Sequence, residues 1–243
     1  MGFQMQDLDL ILVPPGLFIM FTYHIYLLYR VLKYPSTTAI GYDNRNWMTW
    51  VERMMQGNAN NASIAVSVIS NNTVSSIYLA TMCLSLCAFI GVWVGSPSSS
   101  SSGKVAVDVT FILGNTSLAT ITIKDTSMIF AFLLAFGVFV QSLRHYVQAN
   151  SLISMPNKDV PVKYVQRLVL RGNNFWHIGL RLLYLAMALL FWSFGPMPMF
   201  VSCVVMVLIL NHLDTNKEPV HLYLRGPKFS VKKKVEEVVA VRA

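Results

Sequence analysis

Four stretches of the chain are apolar at nearly every position, not at every second or every third to fourth. They run over about 8–31, 74–94, 128–147 and 176–213. A helix that is hydrophobic all round belongs in a core or a bilayer, and about 20 such residues cross a membrane. The fourth stretch is too long for one crossing. At 1.5 Å per residue it would reach ~57 Å, against a hydrocarbon core of ~30 Å. It is interrupted at Gly195, Pro196, Met197 and Pro198. The two prolines lack backbone donors and disfavour a continuing helix, so the pattern predicts a tight hairpin between spans at 176–194 and 198–213. The expected fold is an all-α integral membrane protein with five transmembrane helices.

Between the spans the periodicity changes. Trp47, Trp50, Val51, Met54 and Met55 recur with helical spacing, while Arg45, Thr49, Glu52 and Arg53 fall elsewhere. An amphipathic helix lying at the bilayer interface is expected at 44–56; packing on protein is the alternative. Val162, Val165, Leu168 and Val169 make a second such face at 161–171. Pro161 suits its start, Gly172 its stop, and Asn173 or Asn174 would cap the next span. Residues 62–73 extend the second span. Pro14, Pro15 and Gly16 read as the start of the first helix. The loop at 96–125 opens with serines 98–102. Val105, Val107, Val109, Phe111 and Leu113 then alternate before Gly114-Asn115, and Leu118, Ile121 and Ile123 follow, which suggests a small β-hairpin.

Composition agrees with the pattern. Of the 243 residues 54% are hydrophobic, and only 12% are charged, about half the ~25% usual for a soluble domain. One membrane domain (1–215) and a basic tail (216–243) are expected. A net charge of +8 raises nucleic acid as a partner, but the cations sit between apolar runs and not on one basic face. Topology explains them. With five spans and the N-terminus outside, seventeen of the nineteen Lys and Arg residues fall inside, leaving Lys104 and Lys124 outside. Asp7 and Asp9 come before any basic residue, so the first run is expected to persist as an anchor and not as a cleaved signal. Asn115-Thr116-Ser117 is a glycosylation sequon on the expected outer side. Cys83, Cys87 and Cys203 all lie in apolar runs and read as small packing residues, with no structural disulfide expected.

Candidate chemistry is sparse. No nucleophile, phosphate-loop or zinc motif is present, and the five histidines do not pair at metal-ligand spacing. No catalytic, metal or cofactor site is therefore expected. What remains is a set of ionisable residues in or bordering the spans: His24, Arg144, Arg181, His212 and Asp214. The five-span topology puts them near one depth in the inner third of the bilayer. Membrane-buried charge faces protein or water, so the set reads either as a basic layer attracting an anion or as cations reaching for phosphates and Asp214. The tail, with Lys232, Lys233 and Lys234 after Ser230, would hold anionic lipid at ~1 kcal/mol per cation.

Several stretches in order carry a family resemblance: Tyr23-His24 with Tyr26-Leu27-Leu28-Tyr29-Arg30; Trp47 with Val51 and Met54-Met55; Val140-Gln141-Ser142-Leu143-Arg144; Gly179-Leu180-Arg181 with Tyr184; and Trp192-Ser193-Phe194-Gly195-Pro196, ending at Asp214. Over about residues 8–215 the chain resembles the plant membrane proteins grouped as domain of unknown function 599. One departure is Ser70, where the family pattern expects an arginine before Asn71. The resemblance implies the same spanning architecture and no reaction. The expected function is a channel or transporter subunit for a small anion or solute, in the plasma membrane or an endomembrane. Five spans are few to enclose a pathway, so a homo-oligomer is implied. A membrane scaffold or signalling adaptor acting through interfacial helices and the basic tail is the alternative.

Overall fold

A computed structural model describes residues 8–57, 59–95, 118–155 and 160–215. They form six helices: α1 (Leu8–Lys33), α2 (Ala39–Gln56), α3 (Ala59–Gly95), α4 (Leu118–Ile153), α5 (Val162–Trp192) and α6 (Pro196–Asp214). Five of them, all but α2, are long and apolar enough to cross a membrane. Large apolar side chains face outward all along them, among them Leu10, Phe18, Ile25 and Leu32 on α1, Tyr78 and Phe89 on α3, and Leu208 on α6. A surface this apolar belongs in lipid. The protein is a membrane protein.

The main packing runs α3–α4–α5–α6–α1, with α2 laid across α5 and α3. Lipid tails are as apolar as leucine, so helix association depends on close packing. Small residues supply it. Cys83 and Cys87 on α3 and Ala131 and Ala135 on α4 are buried in one core with Met20, Phe132, Phe139, Ala186 and Met199. All three cysteines are free and buried. On α5, Gly172 and Gly179 lie two turns apart against Tyr146 and Phe139 of α4, where an added Cβ would come within 3.0 and 2.7 Å of the rings.

α3, α4 and α5 are longer than a membrane requires. The 36 residues of α4 reach about 54 Å. Their excess length builds a second core from Ala65, Ile69, Tyr146, Ala149, Ile153, Val165, Leu168 and Val169. Onto it α2 sets Trp47, Trp50, Val51, Met54 and Met55. The amphipathic face of α2 therefore packs on protein, Val51 fully and the other four in part. The extended spans offer it an apolar surface that the sequence pattern had not placed beside it. Thr38 caps α2 by accepting from the Gly41 N–H at 3.3 Å, and it forms an isolated bridge with Thr215 after α6.

Other boundaries shift for identifiable reasons. α5 starts after Pro161 as expected but runs straight through Gly172, which is a close-packing glycine and not a helix stop. α1 already covers Leu8, so Pro14 and Pro15 lie inside it. Both are exposed and lie about two turns into it, where each removes one i→i−4 hydrogen bond and crowds the carbonyl four residues before it. Leu118, Ile121 and Ile123 belong to α4 and not to a strand; residues 96–117, with the rest of the expected hairpin and Asn115, lie outside the described residues, as does the tail from 216. The α5–α6 hairpin stands where expected. Gly195 has φ 137°, a left-handed conformation that favours glycine, and Pro196 opens α6 at a position needing no donor.

Candidate functional site

α5 carries Asn173, His177 and Arg181 at four-residue spacing, so they share one side of the helix. This stripe lies where the two cores meet, and each member reaches a carboxylate or its neighbour on another helix.

At one end of the stripe is Asp214, the last residue of α6. A carboxylate there faces the negative end of the helix dipole and needs donors. Arg181 Nη2 donates to Asp214 Oδ1, and Tyr23 Oη of α1 donates to Oδ2 at 2.5 Å. Both carboxylate oxygens are thus satisfied, and α1, α5 and α6 are tied together. His24 adjoins the pair, within reach of both charges. Its Nδ1 lies 2.7 Å from the Met20 carbonyl. That carbonyl only accepts, so Nδ1 carries the proton and Nε2 of the neutral ring is an acceptor. His24 Nε2 and Arg181 Nη1 are buried and meet no hydrogen-bond partner among the described residues. The cluster therefore keeps one acceptor and one donor in reserve.

At the other end, Asn173 Nδ2 donates to Asp43 Oδ2 at 2.7 Å and to Asn44 Oδ1 at 3.0 Å. His177 Nε2 lies 3.4 Å from the same Asp43 oxygen, and Asn44 Nδ2 donates to Asn174 Oδ1 at 2.9 Å. Burial alone would raise the Asp43 carboxyl; the hydrogen bonds from His177 and Asn173 outweigh it and hold the group below its ordinary value. These bonds fix α2 against α5.

A third cluster closes the opposite end of the bundle. Asp9 Oδ1 of α1 accepts from Trp192 Nε1 at 2.8 Å and lies 3.3 Å from Lys124 Nζ of α4. That ammonium is 5.4 Å from the centroid of the Trp192 ring. Lys124 was expected in the outer loop. It is instead a buried helix residue whose charge is matched by Asp9.

Of the five residues singled out from sequence, the fold brings His24, Arg181 and Asp214 together. Arg144 and His212 are exposed on α4 and α6. Depth along the bundle was inferred from topology, but the direction in which each side chain points was not. Sequence reasoning missed Tyr23, Asp43, Asn173 and His177. The four-residue spacing of Asn173, His177 and Arg181 was the available signal. Asp43 was not visible because its partners are 130 or more positions away.

A family model described as "Protein of unknown function, DUF599" matches residues 11–219. The chain belongs to this family. The DUF599 match spans both ends of the α5 stripe and every helix, and begins just after Asp9. No curated protein and no solved structure matches the chain.

Proposed function

We propose that this DUF599 protein is a transport protein of the membrane and not an enzyme, and that a small solute passes by way of the Tyr23–His24–Arg181–Asp214 cluster. The observation that carries this reading is the pair of buried nitrogens in reserve, His24 Nε2 and Arg181 Nη1. Ionisable groups held within a span are costly unless they serve a pathway or a partner. An oxygen that donates to His24 and accepts from Arg181 satisfies both. A weak acid or a hydroxyl-bearing solute has such an oxygen, and a small anion satisfies the arginine half alone. The chain lies with its N-terminus outside and its C-terminus inside. The cations on Arg30, Lys33, Arg53, Arg167, Arg171 and the tail support this, because positive residues collect on the cytoplasmic side. A homo-oligomer encloses the path, the tail holds anionic lipid, and the plasma membrane or an endomembrane houses the assembly.

The test is flux in proteoliposomes of purified protein, with radiolabelled weak organic acids and inorganic anions. Uptake by the wild type, lost in H24A and R181Q with folding intact, supports the reading. Silence across the panel sinks it. A tag at Ala243 reached by antibody from outside intact cells would overturn the orientation.

A second reading has its own observation. The core formed by α2 with the extended ends of α3, α4 and α5 is a folded platform beyond the spans, suited to a scaffold. A stable partner whose capture requires residues 39–56 would favour it.

A further inference from the structure

Three helices place an interface residue the same distance from the Asp9–Lys124–Trp192 cluster. Arg30 lies 21 residues after Asp9, His145 lies 21 after Lys124, and Arg171 lies 21 before Trp192. At 1.5 Å per residue each spacing is about 31 Å, the thickness of one hydrocarbon core. Arg30 lies over the Tyr26 ring, 5.8 Å from its centroid, and Lys33 is 5.4 Å from that of Tyr29. Such Tyr–cation pairs mark the headgroup level. The level of Arg30, His145 and Arg171 is therefore the second membrane boundary.

At that level α4 and α5 leave an open pocket of about 370 Å³ lined by His145, Arg171, Asn174, Phe175 and Ile178. His145 stacks on Phe175 with ring centroids 5.5 Å apart, and its Nδ1 is buried without a partner among the described residues. The Asn174 oxygen already accepts from Asn44, so the amide nitrogen is left to donate. Both Arg171 and Arg144 act electrostatically on the His145 ring. The sequence holds no Asp or Glu from 126 to 158 or from 160 to 213, so no acidic residue of α4 beyond Asp125, and none of α5, neutralises these groups. The polar wall offers donors and positive charge. The other wall, Phe175 and the half-exposed Ile178, is apolar. A ligand fitting both has an anionic head and a hydrocarbon body.

We propose that this pocket binds one anionic glycerophospholipid. Its phosphate lies against Arg171, His145 and Asn174, with Arg144 at the rim, and its acyl chain runs along Phe175 and Ile178 toward the bilayer centre. This site is separate from the tail and from the His24–Arg181 cluster, and it holds whether or not the protein transports anything.

The test uses the full chain in detergent, with native mass spectrometry after adding phosphatidylglycerol, phosphatidylcholine or inorganic phosphate. The wild type is expected to retain one phosphatidylglycerol in preference to phosphatidylcholine. Arg171→Gln should weaken retention about fivefold and the Arg144→Gln, Arg171→Gln pair about thirtyfold, the factors for ~1 kcal/mol per cation removed. Arg53→Gln, an exposed cation on α2, should change nothing. Both arginines are exposed, so their variants are expected to fold; circular dichroism checks this. For a variant that unfolds, Ile178→Ser tests the apolar wall and should also lower retention. Equal retention of the two lipids, undiminished retention in the double variant, or displacement by millimolar phosphate would overturn the proposal.

Discussion

The Arg181–Asp214 pair offers the most direct measurement. The two side chains are 14% and 8% exposed, so neither charge has water to fall back on. Asp214→Ala would leave the guanidinium buried with no carboxylate and deprive Tyr23 Oη of its acceptor. Removing one partner of a buried pair costs about 3–5 kcal/mol, mainly through the stranded charge. Removing Tyr23 Oη alone breaks a bond to a charged group that sits 2.5 Å away. Tyr23→Phe should then cost about 1.5–3 kcal/mol. Replacing both charges and the hydroxyl together, as Tyr23→Phe with Arg181→Met and Asp214→Leu, strands none of these groups. It should fall within about 1 kcal/mol of the wild type, because apolar substitutes for a buried pair are often neutral. The assay is unfolding of purified protein from mild detergent into sodium dodecyl sulfate, followed by circular dichroism. A triple variant as unstable as Asp214→Ala would refute the argument that the stranded groups cause the loss. So would an Asp214→Ala variant close to the wild type.

Three further predictions use the same preparation. Gly179→Ala should destabilise by about 1–3 kcal/mol, because its Cβ would stand 2.7 Å from a fully buried Phe139 ring held edge-to-face by Trp176; Gly91→Ala, with nothing within 4 Å, should not. Asp43 is held below its ordinary value of 3.8, so its contribution is present above that pH and lost as pH falls below it. Hydrogen exchange in α2 should therefore accelerate below about pH 4, and an acid step of the same size in Asp43→Asn would count against this. Lys124→Met removes the ammonium 3.3 Å from Asp9 Oδ1, so it should destabilise by about 3 kcal/mol; no change in the unfolding curve would mean that the ion pair contributes nothing.

The spans were legible because a bilayer imposes one simple demand, a long apolar run, and the Gly195–Pro198 break writes a hairpin in local backbone chemistry. The lengths of α3, α4 and α5 were harder to read. Beyond the bilayer they are amphipathic, and at 161–171 that period looked like a separate helix closed by Gly172. The glycine reports on Tyr146 of another helix, a fact that one stretch of sequence does not contain. The same holds for the site. His24, Arg181 and Asp214 were conspicuous as charge in apolar surroundings. Asp43 and Asn173 sit in ordinary polar surroundings and gain their meaning only from each other.

The spacing of the α5 stripe has a mechanical corollary. Four residues advance a helix by about 400°, so each step leaves a surplus of about 40°, and Asn173 and Arg181 point about 80° apart. The stripe winds around α5, which is how one helix meets Asp43 on α2 through Asn173 and His177 and Asp214 on α6 through Arg181. Because α5 is unbroken between them, the two carboxylates act as stops on a single shaft. Turning α5 about its axis disengages both, and holding either one resists rotation at the other.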